Sequence, residues 1–471
     1  MREARDAGKR IAFVSLVPTD NLKATPVRIV LGDLDVGGVS WASAERLLVS
    51  LTLEREQTYV PTGSHLGRDY DVRNRRMLSV GFDGREPVML FGEDRPLLRV
   101  DPDLARVIDL LPDDPEHILI RGWELRNNTY SIYRMNVLTG RGEVVERGGP
   151  ATYHWLSQDG APTLRFDRAG RSTALLLARN APGGEWTPIR KIRPENEFFR
   201  SDFRVVGWTG DRGEFLVVAR AETEASLSLR AFDPRTRALG PPIASRPDRD
   251  VEDVLIDERG RLLATQFVAD RNEYEFTDPN LAPHFRGIDR FFQGEASAEL
   301  VDMDDSRQRL LVRASGPRVA NAYYLYDVNV RRLEPLGLAS PWLQFDSLAK
   351  AEALDVKTRD GAVIRAYLTQ PLAEGPRPLA VLPHGGPGVA GQDRIRRIRP
   401  GLCGPGLACP ATQLQGGRAA MAPPSPTPAG AAGAIGCRRT SRMLSPRSWR
   451  RAAPTRARWR SAARAMAATR P

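Results

Sequence analysis

His384-Gly385-Gly386-Pro387-Gly388 is the stretch whose residue types and spacing could do chemistry. It follows Leu379-Ala380-Val381-Leu382, a short apolar run that reads as a buried strand. Gly385 and Gly386 carry no Cβ, so their backbone N–H groups can approach a developing oxyanion. Taken alone, the motif fits a plain strand-to-loop turn equally well. Acyl transfer also needs a nucleophile, a base and a group that orients the base. The chain contains no Gly-x-Ser-x-Gly turn, no Asp after Asp393 and no His after His384. No residue is therefore assigned a catalytic role, and no metal site or cofactor is expected.

A loop of this kind must be held by a scaffold, and a repeat runs through the first two-thirds of the chain. A turn followed by a β-rich apolar run recurs in seven copies, the later ones roughly 40–55 residues apart. They are Ala7 to Val14, Ser43 to Val49, Asp113 to Ile120, Asp167 to Leu177, Gly210 to Val218, Asp257 to Ala264 and Asp304 to Val312. Asp bonds nearby backbone and Gly tolerates positive φ, which suits tight turns. The apolar run after each turn suits a strand buried on both faces. A second strand and polar turn follow in several copies, as in Tyr133 to Gly140, Leu229 to Thr236 and Tyr324 to Asn329. Two hairpins per unit make a four-stranded propeller blade. The expectation is a mainly β chain whose residues 1–345 form a seven-bladed β-propeller, with no long amphipathic helix between residues 10 and 345. A pair of β-sandwiches is the alternative.

The character changes near residue 350. Ala353 to Thr358 and Ala362 to Leu368 read as two strands around Arg359-Asp360-Gly361, and Pro371 to Pro378 as a loop. The sequence Asp360-Gly361-Ala362-Val363-Ile364-Arg365-Ala366-Tyr367-Leu368-Thr369-Gln370-Pro371, then Leu382-Pro383-His384-Gly385-Gly386-Pro387, placed after a propeller, resembles the prolyl oligopeptidase family of serine peptidases. Within it, the bacterial dipeptidyl and acylaminoacyl peptidase-like branch is the nearer match. The resemblance covers residues 1 to about 393.

The resemblance implies that residues 346–393 open an α/β-hydrolase domain. It also implies a parent enzyme that hydrolyses short peptides while the propeller screens access by size. His384, Gly385, Gly386 and Pro387 would be its oxyanion and substrate-binding loop, with His384 a structural loop histidine and not the base. The family's Ser, Asp and His follow that loop in that order. They are missing here, so the resemblance implies a vestigial site and a chain without turnover. The competing class is a non-catalytic propeller that binds peptides or proteins.

Net charge bears on the remainder. The formal charge is +11, but 16 of the 69 Lys and Arg are arginines after Asp393, where no acid occurs. That leaves 53 basic against 58 acidic residues before it, a net of −5. Most of the chain is thus mildly acidic, and nucleic acid is not expected as its partner. Cys403, Cys409 and Cys437 all lie in the tail, so no disulfide staples the first 393 residues. No apolar run reaches membrane-spanning length.

Residues 394–471 are dominated by Ala, Arg, Pro, Gly and Ser. They could be a basic arm, a low-complexity linker, or GC-rich DNA read out of frame. Shifted back by one base, Ala419 to Ala422 permits Gly-Tyr-Gly, and Ser425 to Ala431 permits Val-x-Asn-x-Arg-Gly-Ser. The family carries a similar Gly-Tyr-Ala-Val-x-x-x-Asn-x-Arg-Gly-Ser shortly after His-Gly-Gly-Pro. The expectation is a frame slip between Gly388 and about Arg418, and a disordered tail. Met1 enters directly on the first turn, so an upstream signal peptide is expected to be missing. The chain as written reads as cytoplasmic and its parent as periplasmic or secreted.

Overall fold

The computed structural model describes residues 2–6 and 9–369 outside short gaps, the longest being 54–62, 95–100 and 193–202. Beyond 369 it describes residues 382–383 and 409–412. The described chain is almost entirely antiparallel sheet, in strands that follow one another around a propeller.

The first sheet has three strands, β1 (Arg2–Asp6), β2 (Lys9–Leu16) and β3 (Val27–Gly32). Blade 1 is β4 (Asp35–Trp41), β5 (Arg46–Leu53), β8 (Asn74–Gly81) and β9 (Val88–Met89), with the small hairpin β6 (Gly63–His65) and β7 (Arg68–Tyr70) between β5 and β8. Blade 2 is β10 (Val107–Asp109), β11 (His117–Glu124), β12 (Thr129–Asn136) and β13 (Gly142–Arg147). Blade 3 is β14 (Thr152–Gln158), β15 (Ala161–Arg168), β16 (Ala174–Ala178) and β17 (Thr187–Ile192). Blade 4 is β18 (Phe203–Trp208), β19 (Phe215–Ala219), β20 (Ser228–Asp233) and β21 (Ala238–Ala244). Blade 5 has β22 (Val251–Ile256), β23 (Leu262–Val268) and β24 (Asn272–Phe276), followed by helix α1 (Leu281–Phe291). Blade 6 is β25 (Ser297–Met303), β26 (Arg309–Ser315), β27 (Ala322–Asp327) and β28 (Arg332–Leu338).

The seven expected blades are therefore six. The first copy, Ala7 to Val14, enters β2 of the N-terminal sheet. Two residues, Asp33 and Leu34, separate β3 from β4, which leaves no chain for a fourth strand. That sheet leans on blade 1, with Val14 and Ile29 packed against Leu47, Val49, Leu51 and Val80.

The apolar runs are buried on both faces because each strand is shared between two apolar layers. In β19, Phe215, Val217 and Ala219 join Leu164, Leu176 and Phe203 on one side. Leu216 and Val218 join Val251 and Phe267 on the other. In β11, Ile118 and Ile120 pack towards blade 1 while Leu119 packs on Trp155 of blade 3. A period of two along the strand thus yields an unbroken apolar sequence.

Two further readings are corrected. The apolar run Ala174 to Leu177 is the third strand of its blade; the turn equivalent to the others is Asp159-Gly160, where both residues have positive φ. An amphipathic helix does interrupt the propeller. Leu281, Phe285 and Ile288 recur at helical spacing on its buried face. They cover the outer side of blade 5, where a fourth strand would stand, against Leu263, Leu300 and Leu310.

After blade 6 a mixed sheet begins. β29 (Ala351–Lys357) and β30 (Val363–Thr369) form the expected hairpin, with Lys357 opposite Val363. β31 (Leu382–Pro383) and β32 (Cys409–Thr412) extend it in the order β29-β30-β32-β31. β32 is antiparallel to β30 and parallel to β31. Within the tail expected to be disordered, then, residues 409–412 are a strand; the rest of that expectation lies outside the described residues.

Candidate functional site

The hairpin β29–β30 is tied to the propeller through Asp270. Ala269-Asp270-Arg271 makes the turn between the second and third strands of blade 5, and Asp270 projects its carboxylate to β30. Arg365 donates to it through Nε at 3.0 Å and Nη2 at 2.5 Å. The Tyr367 hydroxyl donates to the same carboxylate at 2.6 Å. Arg365 also donates to Asp355, its partner directly across the hairpin, at 2.8 Å. Tyr367 is buried, whereas Asp270 and Arg365 are partly open to water.

The fork of the guanidinium and the fixed phenol make this a charge-assisted, three-bond joint. The Arg365 hydrogen bond, with help from Tyr367, holds the Asp270 carboxyl below the usual aspartate range. The Asp270 contact raises Arg365 above its ordinary value.

From this joint the sheet runs to Leu382–Pro383, the strand that ends where the glycine motif begins. Leu382 pairs with Ala411, and Ala411 with Tyr367, so the strand leading to the motif is one strand removed from the residue that grips Asp270. His384, Gly385, Gly386 and Pro387 themselves lie outside the described residues.

Three other histidines, His117, His154 and His284, have described surroundings that bear on a role as base. His117 Nδ1 meets both Asp114 oxygens at 3.1 Å, but Nε2 faces the Asn136 amide at 3.5 Å. Burial, then the charges of Arg121 and Arg106, push His154 down to about 4, so it is neutral near pH 7. His284 Nδ1 faces the Tyr326 hydroxyl at 3.0 Å, and burial lowers its pKa. None of these rings meets a serine hydroxyl among the described residues. No cluster of three or more His, Cys, Asp or Glu side chains forms a metal site among the described residues either. No described helix is long and apolar enough to cross a membrane.

Sequence reasoning quoted Tyr367 as part of a motif but missed its partner. Asp270 sits in an ordinary polar turn, and nothing local marks it. A carboxylate at a loop tip is common; what singles this one out is a contact 97 residues away.

No family model matches the chain, and no curated protein matches it in sequence. Solved structures do match in fold. A prolyl endopeptidase superposes with a TM-score of 0.53 at 13% identity, over 89% of this chain and 62% of its own. Oligopeptidase B from Leishmania major gives 0.50 at 10% identity, over 90% and 58%. Prolyl oligopeptidase B from Galerina marginata gives 0.50 at 12% identity, over 87% and 63%. The chain thus spans about three-fifths of each of these structures. At these identities the likeness is one of fold alone, that of a β-propeller.

Proposed function

We propose that the chain is the propeller and the opening strands of a serine-type oligopeptidase that hydrolyses short peptides, with the propeller limiting access by size. Residues 1–345 are the propeller, 346–393 the start of the hydrolase domain, and 394–471 an out-of-frame tail.

The observation that carries this reading is the place of Pro383. It ends the third strand, in chain order, of a sheet bound to the propeller through Asp270. In α/β-hydrolases one oxyanion N–H comes from the loop after the third strand. That loop here is His384-Gly385-Gly386-Pro387.

After this loop the chain contains no His, and after Asp393 no Asp, so no Ser, Asp and His follow the loop in that order. The proposal assigns turnover to the longer protein. The test compares the purified 471-residue chain with the product of a frame-restored gene. Each is assayed on aminoacyl and dipeptidyl chromogenic amides and with a fluorophosphonate serine probe. The restored product is expected to cleave and to label, and the 471-residue chain to do neither. Stoichiometric labelling of the 471-residue chain at any serine overturns the reading. A restored product that binds peptides without labelling replaces it with a binding module.

A further inference from the structure

The first turns of successive blades lie together at one end of the propeller. Gly160 of blade 3 donates to Asp109 of blade 2 at 3.2 Å. Trp208 of blade 4 donates its backbone N–H to Gly260 of blade 5 at 3.1 Å. Arg307 of blade 6 reaches Asp257 of blade 5 at 3.2 Å. Asp270, in the second turn of blade 5, is at the opposite end of its strands, so the hydrolase-type hairpin sits at the other mouth.

One contact in this ring of turns does not join neighbours. Arg259, in the first turn of blade 5, donates through Nη2 to Asp113 Oδ1 at 2.7 Å and through Nη1 to Oδ2 at 3.1 Å. Asp113 is in the first turn of blade 2, 146 residues earlier. Blades 3 and 4 stand between them, so the pair reaches across the ring.

Both turns are built to stay in place. The Asp257 carboxylate accepts the backbone N–H groups of Arg259 and Arg261, which closes its turn. A Cβ on Gly260 would lie 2.4 Å from the Trp208 ring, so only glycine lets this turn pack so closely on blade 4. On the other side, the Asp109 carboxylate accepts the Leu111 N–H at 2.9 Å, and the backbone N–H of Asp114 donates to the Leu111 carbonyl at 2.8 Å. The Arg259 side chain is the flexible arm between two fixed points.

We propose that Arg259 and Asp113 form a clasp across the propeller mouth remote from the hydrolase-type strands, and that breaking it widens this entry to the central channel. The geometry of a two-point guanidinium–carboxylate fork gives the clasp direction as well as charge. Its exposure, 41% for Arg259 and 79% for Asp113, makes it a latch that salt can open rather than a permanent brace. The inference stands on the propeller itself and does not require that the chain belong to a peptidase.

The test reads the size of the opening. In the full chain, Cys403, Cys409 and Cys437 are changed to Ser and a single thiol is placed by Ile256→Cys. Ile256 ends the inner strand of blade 5, next to the clasp turn, and is exposed. Labelling rates are measured with N-ethylmaleimide and with a bulky polyethylene-glycol maleimide. Asp113→Arg or Arg259→Glu alone should speed the bulky reagent about two- to fivefold, the range an exposed ion pair can supply, and leave the small reagent unchanged. The double swap should restore the slow rate, which also controls for misfolding of either single variant. About 1 M salt should mimic the single reversals in the unswapped chain. The clasp is refuted by a bulky-reagent rate indifferent to the single reversals, or by a double swap that behaves like them.

Discussion

The hydroxyl of Tyr367 donates to Asp270 at 2.6 Å, joining the first hairpin after the propeller to the second turn of blade 5. A hydrogen bond to a charged acceptor contributes about 1.5–3 kcal/mol when its partner is buried, and Tyr367 is 1% exposed. Tyr367→Phe keeps the ring and removes the donor. It should release the hairpin before it affects the blades. Limited proteolysis should then cut around residues 358–370 faster, while melting of the propeller stays within about 1 °C, because the blades keep their own cores. Equal loss of both signals contradicts the joint.

The same joint has a pH signature. Asp270 is held below its unfolded value, first by the Arg365 hydrogen bond. A depressed carboxyl contributes stability above its unfolded pKa of about 3.9 and loses it as the pH falls through the folded value. Proteolytic release of the hairpin, followed with an acid-tolerant protease, should therefore rise below about pH 4. Asp270→Asn should weaken the hairpin at pH 7 and remove this rise.

His154 works over a higher window. Its folded pKa of about 4 lies below the unfolded value of about 6.5, so the unfolded chain binds the extra proton between them. Stability should fall as the pH drops from about 6.5 towards 4, by up to about 3 kcal/mol, and level off below. His154→Gln should flatten that part of the curve. Urea unfolding at half-unit pH steps measures both chains, and an unchanged slope in the variant contradicts the assignment.

A buried ion pair with an aromatic lid joins blades 2 and 3. Arg179, whose side chain is 5% exposed, donates to Glu146 at 2.8 Å. Trp186 donates to the same carboxylate at 3.1 Å and lies 4.6 Å from the guanidinium. Glu146→Ala leaves the cation buried without its partner and should cost about 3–5 kcal/mol. Adding Arg179→Met should recover a large part of that loss in a denaturation series.

Helix α1 offers changes of both signs. Phe285→Ala empties a site packed on Tyr274 and Phe276 and should cost about 3–5 kcal/mol. Gly287 has open space where a Cβ would stand, so Gly287→Ala should stabilise by up to about 1 kcal/mol. A destabilising Gly287→Ala contradicts the packing described for this helix.

The blades were legible because each blade repeats one local rule, a turn followed by an apolar run, and the run is read twice by two layers. Leu216 and Phe215 look alike in the sequence, yet they face different blades. The helix escaped notice because Leu281, Phe285 and Ile288 share their segment with Pro283 and Gly287, which weaken the local signal. The blade count failed at the N-terminus, where the repeat gives a β2 strand but the short step from Gly32 to Asp35 withholds the fourth. Long-range partners were not legible at all. Asp113 and Arg259 were both read as turn residues, and nothing in either turn names the other.

The nucleotide sequence across codons 388–418 tests the central claim most directly. Restoring one base there should open a frame of roughly 200 further residues, an ordinary domain size, carrying Gly-x-Ser-x-Gly, then Asp, then His. A stop codon soon after that stretch in every frame contradicts the account.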